Sequence, residues 1–144
     1  IDSISAIINI ARLMGDNMAY NIIFYEKNGQ SQIWDYLEQL RLKSLKNKDA
    51  RIQYNQMMLS IELLAQSGTY LPESITKHIS GDIWELRPGN NRVFYFSYDN
   101  NNFVLLHYFR KKTKKTPLRE IKKAQSERDD YISRKENDRY EDMG

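Results

Sequence analysis

The chain has 144 residues, 40% of them hydrophobic and 12% aromatic, with no cysteine and 22 basic against 19 acidic side chains for a net charge of +3. That length suits one domain with one packed core, the aromatic content excludes a disordered polymer, and the missing thiols exclude disulfides, thiolate metal sites and thiol catalysis. No stretch approaches the roughly 20 apolar residues of a membrane-spanning helix, so no membrane partner is expected and a cysteine-free chain fits a bacterial cytosol.

Residues 1–17 read as an N-terminal extension. Ile4, Ile7, Ile8, Ile10 and Ala11 match one face of a short amphipathic helix. A basic start and a small-residue cleavage site are both missing, so a signal peptide is not indicated. Gly15-Asp16 ahead of Met18 is compatible with translation through a ribosome-binding sequence. The expected natural start is therefore Met18, and the preceding residues a translated leader or an artificial addition.

The β-branched and aromatic run Tyr20–Glu26 predicts a strand closed by an Asn28-Gly29 turn. Ser31 is an N-cap candidate for a helix through about Leu45, with Ile33, Trp34, Leu37 and Leu40 at helical spacing. Asp49 then caps a second helix whose apolar stripe (Ile52, Tyr54, Met57, Met58, Ile61, Leu64, Ala65) ends at Ser67-Gly68. Residues 75–79 read as a loop or short edge segment carrying Lys77 and His78. Three strand-forming runs follow, Asp82–Arg87, Arg92–Tyr98 and Phe103–Phe109, separated by turn signals at 88–91 and 99–102. A last helix is expected from Pro117 to about Asn137, with Thr116 as cap, followed by a polar acidic tail over 138–144. The prediction is an α+β single domain over 18–137: a small antiparallel sheet, made of the N-terminal strand and a three-strand meander, with a helical hairpin and a C-terminal helix.

Charge is unevenly placed. From Arg110 to Lys123 stand eight basic residues and one acidic, Glu120, whereas the balance turns acidic from Asp129 onward. Such a block beside a strand is the footprint of a polyanion site or of a solvated helix start. Two histidines without a metal-ligand spacing give no metal site. There is no glycine-rich phosphate loop and no Gly-x-Ser-x-Gly serine nucleophile.

Period-two alternation places Phe103, Leu105, His107 and Phe109 on one face of their strand, and Arg92, Phe94, Phe96 and Tyr98 on one face of the strand before it. An antiparallel meander then gathers Arg87, Arg92, His107, Lys111 and Lys112 at one sheet edge. His107 reads either as a core histidine bonded to backbone or as a proton-transfer group. Such a cluster suits RNA cleavage, in which the 2′-hydroxyl is the nucleophile and no metal or other cofactor is obligatory. Arginine forks pair with phosphate oxygens, and imidazole ordinarily titrates near neutrality. Tyr95, Tyr98 and Tyr108 are candidates for stacking on bases, with core packing as their other fate.

The strings IWELRPGNN from Ile83, RVFYF from Arg92 and LLHYFRKKTKKTP from Leu105, followed by EIKKA from Glu120, resemble the HigB-type, phage-derived branch of the RelE toxin superfamily. The resemblance runs over Tyr20–Tyr131. It implies a RelE-like sheet with helices on one side. In function it implies a cytoplasmic toxin of a type II toxin–antitoxin pair: a cofactor-free endoribonuclease that cuts mRNA on the ribosome and inhibits translation. Its implied partners are a cognate helix-turn-helix antitoxin, mRNA and the ribosome, with operator DNA reached only through the antitoxin complex. Arg87, Arg92, His107, Lys111 and Lys112 are the implied catalytic set, and Lys77, His78, Tyr108, Lys114 and Lys115 the implied RNA contacts. The alternative is a nucleic-acid-binding module or inactive relic that acts in autoregulation without catalysis.

Overall fold

The computed structural model describes residues 19–143, so the expected extension over 1–17, its short helix and the Met18 start lie outside the described residues. The elements in chain order are β1 (Asn21–Phe24), α1 (Gln32–Lys43), α2 (Lys48–Ser67), β2 (Thr76–Ser80), β3 (Ile83–Leu86), β4 (Asn91–Tyr98), β5 (Asn102–Arg110) and α3 (Leu118–Met143).

Local chemistry explains most of the boundaries. After β1, Asn28 and Gly29 both adopt positive φ (55° and 76°), and Lys27 and Gln30 exchange backbone hydrogen bonds across them. This is the mirror-image turn that Asn-Gly favours. Ser31 caps α1 by accepting from the Trp34 amide. The cap of α2 is Asn47, whose side chain accepts from the Ala50 amide, and not Asp49. Asp49 lies two residues past the cap, inside the first turn, and instead accepts from Gln53 at 2.8 Å. α2 ends at Gly68 with φ 61°, where an added Cβ would sit 2.9 Å from the Tyr20 ring.

The sheet has order β1-β5-β4-β3-β2. The pairs from β2 to β5 are antiparallel, as the meander predicts. β1, however, runs parallel to β5, from Asn21 opposite Asn102 to Phe24 opposite Leu105. No short turn links β1 to its partner, so hairpin geometry does not set its direction. The α+β class holds, but the sheet is mixed and has a fifth strand: the segment read as loop or edge is β2, whose Lys77 and His78 are exposed.

Helices lie on both faces of the sheet and not on one. Ile33, Leu37, Met57, Ile61 and Leu64 of α1 and α2 pack with Val93, Tyr95, Phe103 and Leu105. On the other face, Ala124 and Tyr131 of α3 pack with Ile83, Phe94, Phe96, Val104 and Leu106. The cause is the near-continuous apolar run in β4 and β5, which needs cover on both sides.

One irregularity matters for the site. The β4–β5 register steps from Phe94 opposite His107 to Tyr95 opposite Leu105, leaving Leu106 as an extra residue on β5. This bulge breaks the expected alternation. Phe103 and Leu105 face the helical hairpin, whereas Leu106, His107 and Phe109 face α3.

α3 extends past the expected end at Asn137, so 138–143 continue the helix. At its start the Pro117 carbonyl accepts from the amides of Glu120 and Ile121, which puts Pro117, and not Thr116, in the capping position. Arg128 reaches Asp82 at 2.5 Å in the β2–β3 turn, and Arg139 pairs with Asp99 in the β4–β5 turn. The acidic end of α3 therefore sits at the end of the sheet opposite the basic segment.

Candidate nucleic-acid interface

A cavity of about 470 Å³ opens where the ends of β3, β4 and β5 meet the segment 111–117 and the first turn of α3. Arg87, Arg92 and Arg110 line it from the sheet; Lys111, Lys112, Lys114 and Lys115 line it from the segment, and Arg119 from the helix. The Lys111 amide donates to the Asn90 carbonyl at 2.8 Å, holding the segment against the β3–β4 turn, and Thr113 Oγ1 donates to the Lys115 carbonyl. The four lysines make no ion pair among the described residues. Unneutralised ammonium groups gathered around one opening are what a phosphate backbone would pair with.

Arg87 and Arg92 are anchored differently. Arg87 donates from Nε to Glu85 at 3.0 Å and from Nη1 to the Glu73 carbonyl at 3.1 Å. Arg92, 9% exposed, donates from Nη1 to the carbonyls of Gly89 and Asn91, each at 2.9 Å, and its Nε lies 3.9 Å from Glu85. Burial lowers the Arg92 pKa, Glu85 opposes that shift and neighbouring Arg87 adds to it. Arg110 donates to Gln53 at 3.1 Å and to Asn91 at 3.3 Å, within a network that includes the Tyr36 hydroxyl.

His107 does not open into this cavity. It is 1% exposed. Its Nε2 lies 2.8 Å from Glu120 and its Nδ1 2.5 Å from Glu127, both on α3, and its ring sits edge-on to Phe94. The core reading is met in burial, but the partners are carboxylates and not backbone. The bulge at Leu106 turns the ring under α3, so both ring nitrogens are taken up in fastening the helix to the sheet. Glu120 alone of that trio also borders the cavity.

Three other expected contacts lie elsewhere. Tyr108 is on the opposite face of the sheet, stacked on Tyr36 with ring centroids 4.0 Å apart. His78 contacts the Gly81 carbonyl at 2.6 Å and the edge of Trp84 on that same face. Lys77 pairs with Glu73 at 3.5 Å; it is opposite Glu85 across β2 and β3, beside the cavity without lining it. Tyr95 is in the core, hydroxyl to hydroxyl with Thr76, and Tyr98 packs on Tyr131 at the far end of the sheet. The cavity thus brings together Arg87, Arg92, Lys111, Lys112, Lys114 and Lys115. Sequence reasoning did not single out Glu85 or Arg110; the signal for Glu85 was its alternation with Arg87, which puts a carboxylate on the same face as the arginine.

A family model described as "Phage derived protein Gp49-like (DUF891)" matches residues 41–129, more than half of the chain. That span holds every cavity residue and the whole His107 contact. No curated protein matches the chain.

Proposed function

Because the chain belongs to the Gp49-like family of phage-derived proteins, a RelE-like family associated with toxin–antitoxin systems, we propose that it is a HigB-type toxin and acts as a metal-independent endoribonuclease on mRNA. The observation that carries this reading is the cavity in which four arginines and four lysines without ion pairs converge on one opening. In the proposed reaction the RNA 2′-oxygen attacks the adjacent phosphorus and the bond from phosphorus to the 5′-oxygen breaks. Arg87 and Arg92 hold the non-bridging oxygens as charge builds on them. Proton transfer falls to the lysine segment: a neutral amine accepts the 2′ proton, and an ammonium supplies the 5′-oxygen of the leaving strand. Lys111, Lys112, Lys114 and Lys115 also hold flanking phosphates. RNA brings its own nucleophile, so the chemistry needs no cofactor. Neutralisation by a helix-turn-helix antitoxin, binding to operator DNA through that complex, action on the ribosome and a cytoplasmic setting belong to the same proposal.

The test is incubation of the purified protein with RNA or translating ribosomes in EDTA. Cleavage is expected, and Arg87→Ala is expected to slow it by about 10²- to 10³-fold with the fold retained. Retention of RNA without cleavage would instead support the non-catalytic binder, a reading favoured by the burial of His107, which does not line the cavity.

A further inference from the structure

We propose that Glu85 is a positioning residue that sets which N–H groups of Arg87 and Arg92 are presented to the RNA phosphate; this rests on the endoribonuclease reading. Glu85 is 1% exposed, at a strand position where an apolar side chain would be accommodated at lower cost than a carboxylate. Its Oε1 contacts both arginines, at 3.0 Å and 3.9 Å, and its buried Oε2 has no hydrogen-bond partner among the described residues. A half-satisfied buried carboxylate is a poor way to hold a sheet together. It is an effective way to hold two like charges side by side, because one negative group between two guanidinium groups offsets their repulsion.

The donor inventory shows the consequence. A guanidinium has five N–H groups. Arg87 commits Nε to Glu85 and Nη1 to the Glu73 carbonyl, and Arg92 commits Nη1 to the carbonyls of Gly89 and Asn91. Among the described residues the two Nη2 groups make no hydrogen bond, and both arginines border the cavity. With Arg87 Nε and the two Nη1 groups engaged, the four N–H donors of the two Nη2 groups are presented to phosphate oxygens in one orientation. Without Glu85 the positive charge stays but the orientation is lost.

That difference separates positioning from simple structural support. In the full-length chain, Glu85→Gln removes one negative charge from the cavity wall, so affinity for a 2′-O-methyl oligonucleotide, which cannot be cleaved, is expected to stay equal or tighten a few-fold. The single-turnover cleavage rate of the matching RNA is expected to fall 10- to 100-fold, with Glu85→Asp intermediate. The Nε–H resonances of Arg87 and Arg92 in a ¹H–¹⁵N spectrum are expected to shift in both variants. Cleavage within two-fold of wild type, or cleavage and affinity falling in parallel, would overturn the proposal. If Glu85→Gln does not fold, Glu85→Asp carries the test: a several-fold slower cleavage at unchanged affinity supports positioning, and wild-type behaviour overturns it. Should the wild-type chain cleave no RNA, the endoribonuclease reading fails, and unshifted Nε–H resonances in the variants would then overturn the Glu85 role as well.

Discussion

Both nitrogens of His107 face carboxylates of α3, 20 and 13 residues further along the chain, and that arrangement makes the ring a fastener. Removing it leaves Glu120 and Glu127 without their shared partner. We expect His107→Ala to lower stability by about 3 kcal/mol in urea denaturation, as for carboxylates left without their hydrogen-bond partner. RNA cleavage per folded molecule should stay within a few-fold of wild type; a well-folded variant without cleavage would return the imidazole to the catalytic set. Tyr95 makes a second residue-scale prediction. Burial pushes its phenol up to about 12, against an opposing hydrogen bond from Thr76, and burial likewise pushes Tyr131 up to about 12. The unfolded chain loses these phenolic protons above about pH 10, so it binds fewer protons than the folded chain does. The contribution of these tyrosines to stability should therefore be constant below about pH 9 and fall between about pH 10 and 12. Tyr95→Phe should make that fall shallower by about one proton, or roughly 1.4 kcal/mol per pH unit, in melting curves taken across the range.

At the scale of elements, the hairpin of α1 and α2 was legible because its signals are local: a Ser31 cap, a wide apolar stripe and a Gly68 stop. Its one misreading is testable. Asn47→Ala should cost about 1 kcal/mol through loss of the cap, whereas Asp49→Ala should cost about a third of that, measured by chemical denaturation. The strands of the meander were legible for the same local reason. β2 was legible only as a loop or short edge segment, because an exposed edge strand with Lys77 and His78 has no apolar alternation to announce it. The Leu106 bulge left no mark in composition either. It is a registry decision between β4 and β5, and it determines which face His107 occupies.

Across the whole molecule, charge is separated along the sheet. The lysine segment and the arginines stand at one end, while the acidic stretch of α3 ends beside the β4–β5 turn at the other, where Arg139 meets Asp99. The tail therefore leaves the cationic opening uncovered. Single-stranded RNA bound there should show a steep salt dependence, since each neutralised phosphate releases counterions. Replacing Lys112 or Lys114 by Ala should weaken binding similarly for unrelated RNA sequences and reduce the log–log salt slope by about 0.7 each. A slope unchanged by either substitution would move the RNA path off this segment.

The chain's own residues determined its α+β class, the helical hairpin, the meander and the basic block, because caps, turns, periodicity and charge are written in neighbouring positions. The family resemblance was likewise carried by contiguous strings such as WELR and LLHYFRKK. Tertiary structure alone decided that β1 is parallel, that α3 covers the second face, and that Glu85 and not His107 contacts the two arginines. Those outcomes depend on strand register and on which helix covers which face, and both are settled by contacts between residues far apart in the chain.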